Sequence, residues 1–231
     1  MKGTARVGAI ATIVAGIAGV VWFALEIVPP SLGFEDTDSP AVMLEFLRGH
    51  SDVFLQAADV LLLLAICLTI ATFAVRDALL PRADSLGLRF VSAMGLFAAA
   101  FLFMNGVVRA SAGPLVYIDG LDHDWGAAAY LAVQMVGTHG FAQGGTLAFC
   151  IWAIGVSLIG LRTRTLPAAL CALGVIPAFR LLTLLLGPWG LLPDGLWIVA
   201  MIAIPGTMLW CVFLGVVLLR RSFARRPAQE P

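Results

Sequence analysis

A chain of 231 residues that is 61% hydrophobic and 12% charged, with a mean hydropathy of +0.99, is not a soluble domain, because average chains carry about twice that charged fraction. Formal net charge is zero, which removes any global electrostatic footing for nucleic-acid binding. Cys67, Cys150, Cys171 and Cys211 lie inside apolar runs without CxxC or CxxxH spacing, so neither a disulfide framework nor a zinc site is expected and all four read as small buried apolar residues.

The composition is that of an all-α, polytopic membrane protein filling 1–231 as a single integral domain. Lys2 and Arg6 precede an apolar run over 7–28, about the length that crosses a bilayer. The run is too long for a signal-peptide core and ends in Phe23-Ala24-Leu25-Glu26 without a small-x-small cleavage site, so it reads as the first span. Ala11, Ala15 and Gly19, with Thr12 and Gly16 alongside, form a small-residue face suited to close helix packing or to oligomer contact.

An acidic, turn-rich stretch, Gly33 to Asp38, opens the outer loop over 29–52. Ser39-Pro40 stand where an N-cap and first helical residue belong, which predicts a short helix over 41–49. Val42, Met43, Phe46 and Leu47 share one side of it, which suits a helix on the membrane surface; an ordinary connecting helix fits equally. The second span covers 53–75, followed by a basic turn with Arg76, Arg82 and Arg89, and the third covers 88–108.

A second outer loop, 109–137, holds Asp119, Asp122 and Asp124. It resembles a calcium loop only superficially, because the oxygen spacing does not continue to the required glycine and terminal glutamate; no metal is expected. The apolar stretch over 127–161 would reach on the order of 50 Å as one helix, so a break is predicted near Gly137, with an interfacial helix over 127–136 and the fourth span over 138–161. In that fourth span His139, Gln143, Thr146 and Cys150 form one helical stripe. Gly140 and Gly144 beside it leave room for a neighbouring backbone, and Ala153 falls on the opposite side. The fifth and sixth spans cover 166–186 and 196–219. Pro177 and Pro205-Gly206 should interrupt them, since each proline removes one helix hydrogen bond. Span six, with Trp197 and Trp210, reads as a packing or lipid-facing wall.

Basic residues in short connections mark the cytoplasmic side. They gather at both chain ends and in the turns around Arg82 and Arg162-Thr163-Arg164, while the intervening loops are acidic, so both termini are expected in the cytoplasm, with the protein in the inner or plasma membrane. That topology puts Glu26, Gln56, Asp59, Asn105, Arg109, His139, Gln143 and Arg180 in the outer half, where ionisable groups are costly and so become candidates for a binding pocket. Glu26 and Arg109 lie near the boundary and read as interfacial. Gln56 and Asn105 read as helix-bridging amides, and His139 as a packing histidine or a site residue. Arg180 has a stem long enough to snorkel. Asp59 does not, so it must be protonated, paired or facing water, and a pair with Arg180 is expected, with Arg109 as the competing partner.

Several features together carry a resemblance: the Gly/Ala-rich first span, Pro40 to Gly49 leading into a span with an early acid, and the basic turn. To these the chain adds the long outer loop, the glycine-bearing fourth span, Arg164-Thr165-Leu166-Pro167 before the fifth, and Trp210 through Gly215 to Leu219 in the sixth. The chain resembles a bacterial six-span integral membrane family of unknown function, common in actinobacteria and firmicutes. One departure is Leu166-Pro167-Ala168-Ala169, where an aromatic residue is expected soon after the proline. The resemblance implies the architecture and brings no activity, cofactor or catalytic residue.

Three functional classes follow from the residues. The first is binding or transport of a small molecule or ion through an outward-facing polar pocket. The second is a membrane-embedded enzyme on a lipid or isoprenoid substrate, using Asp59 or Glu26 as acid and His139 as base, which no nucleophile, zinc or aspartate-rich motif supports. The third is a non-catalytic packing partner in the bilayer. Haem is disfavoured because His139 is the only intramembrane histidine and two axial ligands are usual, and no other cofactor is expected.

Overall fold

The computed structural model describes residues 2–31, 42, 45–46, 49–82, 85–117, 123–189, 191 and 196–224. Described elements are helical, and six stretches are long and apolar enough to cross a membrane: Gly3–Glu26, Leu55–Leu79, Leu86–Ser111, Leu131–Arg162, Ala168–Leu186 and Ile202–Phe223. This is a multi-pass membrane protein.

The helices are α1 (Lys2–Ser31), α2 (Ser51–Leu79), α3 (Leu86–Tyr117), α4 (His123–Gln134), α5 (Gln143–Arg162), α6 (Ala168–Leu173), α7 (Pro177–Leu186) and α8 (Leu196–Ala224). Successive spans pack side by side, and α8 returns to lie along α1, so the bundle closes into a ring. At the closure Arg6 near the start of α1 stacks over the Phe223 ring near the end of α8, 4.4 Å from its centroid, so both ends of the span set lie at one end of the bundle. The opposite end of the bundle is its distal end.

Small residues explain why α1 and α8 can lie so close. A Cβ on Gly16 would stand 2.6 Å from Met208 O, and one on Gly215 would stand 2.8 Å from Ala9 O and from Ile13 N, so each glycine admits the partner's backbone. The glycines expected to do this in the fourth span do not: among the described residues nothing lies within 4 Å of a Cβ on Gly140, while Gly144 and Gly145 receive the Phe101 and Leu102 side chains of α3. Ala153, expected on the far side, is fully buried in the core.

Two expected interruptions resolve differently. Span five does break before Pro177, with α6 and α7 joined through Gly174, Val175 and Ile176, and the amide of Ile176 donates to Leu173 O at 3.1 Å, so the carbonyl that the proline would orphan is satisfied by a tighter turn. Span six does not break: α8 runs continuously through Pro205. The predicted break at Gly137 is also absent. Met135–Ala142 is a π-helical segment joining α4 to α5, so the chain absorbs its excess length by widening the winding instead of ending the helix.

At mid-depth the centre is filled by aromatic rings. Trp152 of α5 and Trp210 of α8 meet edge to face with centroids 5.7 Å apart, Phe149 packs on Trp152, and the Trp210 Nε1 donates to Leu170 O at 3.0 Å. Thr72 of α2 and Gly95 of α3 complete this layer, since a Cβ on Gly95 would stand 2.6 Å from Thr72 Oγ1 and 2.7 Å from Trp152 Cδ1. Trp210 is thus a central packing residue and not a lipid-facing wall; the side chain of Trp197 lies outside the described set.

Candidate functional site

The inward face of α3 runs through Leu88, Val91, Ala98, Ala99 and Leu102 to Asn105, all buried at helical spacing. Asn105 is 0% exposed and lies ten residues beyond Gly95, roughly 15 Å distal of the tryptophan layer at helix rise. Its Oδ1 accepts from the Arg109 Nε one turn later at 3.2 Å. Arg109 also grips Glu26 of α1: Nη1 bonds Oε1, and Nη2 reaches Oε2 at 3.4 Å. The ion pair therefore ties the first and third spans together.

Burial makes this network consequential. The Arg109 side chain is 9% exposed and that of Glu26 33%, so the guanidinium is largely withdrawn from solvent while the carboxylate keeps some contact with it. An arginine fork matched to a carboxylate and an amide oxygen is the arrangement that offsets such withdrawal. The amide orientation is also fixed, because Arg109 Nε needs an acceptor and only Oδ1 can be one. That leaves the Asn105 Nδ2 as a buried donor with no hydrogen-bond partner among the described residues. The π-helical segment closes over this amide. A Cβ on Gly137 would stand 3.1 Å from Asn105 Oδ1, so glycine lets the backbone of that segment approach the network. Such single π turns recur at functional sites because they re-aim the residues within them.

The expected Asp59–Arg180 pair gives way to Glu26–Arg109, and the reason lies in the faces of α2. Ala57, Ala58, Leu61, Leu64, Ala65 and Leu68 take the inward stripe, which leaves Asp52, Gln56 and Asp59 on the outward one. That outward stripe continues through Leu63, Ile66, Ile70 and Phe73 to Asp77. Asp59 to Asp77 spans about 27 Å at helix rise, close to the thickness of a bilayer's hydrocarbon layer, so the two carboxylates bracket the lipid-facing apolar surface and Asp59 sits at its edge. Arg109, read as interfacial and as the competing partner, is the centre of the polar network.

Arg180 lies six residues distal of Gly174, and its Nε is buried without a hydrogen-bond partner among the described residues. Gln143 is exposed at the start of α5, and Thr146 bonds back to Ala142 O at 2.7 Å. His139 lies in the π-helical segment, with its side chain outside the described set, as are most of the expected helix over 41–49 and the acidic residues 33–38 and 119–122. Among the described residues no group of three or more His, Cys, Asp or Glu is placed to hold a metal ion. The contribution of Trp22 was not legible: it lies one turn before Glu26 on the stripe of Ala11, Ala15 and Ala18, and its Nε1 is also buried without a partner. Comparison with protein-family models, curated proteins and solved structures finds no match to the chain.

Proposed function

We propose that this membrane protein binds a small molecule or ion in the distal half of its helix ring, and that binding, with or without passage across the bilayer, is its function. The observation that carries the reading is the buried Glu26–Arg109–Asn105 network beneath a π-helical segment, with a fixed amide donor left unused. Ionisable groups within membrane spans are costly to hold, and those held there are candidates for ligand or ion sites. The charge pattern of the connections orients the distal end outward from the inner or plasma membrane. The turn between α6 and α7 supports a moving part, since discontinuous helices are where transporters bend. Membership of the bacterial six-span family belongs to the same proposal.

Native mass spectrometry of the protein released from mild detergent tests this. The expected result is a retained species of defined mass on the wild-type chain, reduced in Asn105→Leu. A bare polypeptide mass under conditions that preserve the fold would contradict it.

A further inference from the structure

At the end of the bundle away from the polar network, the turn after α5 holds a backbone conformation that its sequence does not favour. Gly8 near the start of α1 meets Ala74 near the end of α2, and Val91 near the start of α3 meets Gly155, so α5 ends at the same end of the bundle as Arg6 and Phe223. The helix stops in a doubly bonded cap: the amide of Arg164 donates to Leu161 O at 3.2 Å and that of Thr165 to Gly160 O at 3.0 Å. This cap needs a left-handed residue at the position of Arg164, which is why glycine usually fills it. Arg164 has a φ of 53°, and among the described residues it is the one non-glycine with positive φ. A side chain there carries backbone strain that glycine would avoid. Nor do the hydroxyls of the turn await a ligand, because Thr163 Oγ1 donates to Ile159 O at 2.7 Å and Thr165 Oγ1 then donates to Thr163 Oγ1 at 2.8 Å.

What the strained position adds is a second guanidinium beside that of Arg162. Both side chains are exposed, and two residues of chain hold their Cα atoms within about 7.6 Å of each other. Among the described residues no carboxylate is bonded to either, and the sequence has none between Asp124 and Asp194. Towards the middle of the bundle, Leu158 and Leu161 are 56% and 51% exposed and share a helix face with Arg162. A cationic cap above exposed leucines at the end of a span matches an amphiphile, whereas a soluble acidic protein would meet the arginines and leave the leucines uncovered. We infer that the turn after α5 binds a phospholipid with an acidic headgroup, with Arg162 and Arg164 on its phosphate oxygens and Leu158 and Leu161 against its acyl chain. Paired guanidinium groups suit a phosphate, and the bonded cap is already ordered, so binding orders little backbone. This site lies at the other end of the bundle from the small-molecule site proposed above and does not depend on it.

The test uses brominated lipids as local quenchers. The full chain carrying Ala169→Cys, an exposed position just beyond the turn, is labelled there with a fluorophore, the four native cysteines being buried. It is placed in phosphatidylcholine bilayers that contain either brominated phosphatidylglycerol or brominated phosphatidylcholine. Quenching should show phosphatidylglycerol bound on the order of tenfold more strongly than phosphatidylcholine. Arg164→Gly should cut that preference about fivefold, the usual contribution of one basic side chain at an anionic surface, while its Tm in detergent equals or exceeds that of the wild type because the strain is relieved. Arg164→Lys, which keeps both the charge and the strain, should retain most of the preference. Equal quenching by the two lipids, or an undiminished preference in Arg164→Gly, overturns the assignment. A Tm well below that of the wild type in Arg164→Gly overturns it as well, since the side chain would then be holding the turn itself. So does a preference that inorganic phosphate removes at constant ionic strength, which would make the ligand a free anion.

Discussion

Arg109 is the residue on which the distal half turns, because it satisfies Asn105 within its own helix and Glu26 across to the first span. Removing one member deprives the other of this ion pair in a partly desolvated setting, at a cost of about 2–3 kcal/mol once the partial exposure of Glu26 is allowed for. Glu26→Gln and Arg109→Gln should each lower Tm in detergent, and the double variant should lose clearly less than the sum. Additive losses would show that the pair contributes no mutual stabilisation. Asp59→Asn, on the outward face of α2, should change stability by less than about 0.5 kcal/mol in the same assay. A large loss there would return the polar centre to the second span. Sequence alone expected Asp59 to be the carboxylate paired with an arginine, whereas Glu26 is the one bonded to Arg109. Depth is readable from position along a span, whereas which side of the helix faces inward depends on the neighbours, and α2 is apolar enough all round to hide its inward stripe.

At the scale of elements, the closure of α1 on α8 depends on glycines that meet backbone. Gly215→Ala should cost about 2–3 kcal/mol, because Ala9 O and Ile13 N cannot move without shifting the whole helix. Gly140→Ala should be neutral or slightly stabilising, since its Cβ meets nothing among the described residues and alanine is the better helix former. The two melting temperatures check this, and equal losses would contradict it. The small-residue face of the first span was legible from Ala11, Ala15, Gly16 and Gly19, as a periodic pattern is. The role of Gly140 and Gly144 was not, because the π-helical segment changes the winding before α5 and no local residue pattern announces such a turn. Pro177 and Pro205 teach the same lesson: each lacks a donor, yet only the first sits where the chain turns.

For the whole molecule, composition alone carried the architecture, since long apolar runs in water-free surroundings have few alternatives to helices. The division into an aromatic layer at mid-depth and a polar distal half was partly legible. The polar residues could be counted along the spans, but Trp152 and Trp210 could not be paired without knowing that α5 and α8 face one another. The central claim is that this polar half opens outward, and thiol labelling of intact cells tests it most directly, the four native cysteines being buried. Cysteines introduced at Asp36 and Asp122 should react with an impermeant reagent, and one at Arg82 should not. Labelling at position 82, with protection at 36 and 122, would turn the polar half towards the cytoplasm and contradict the account.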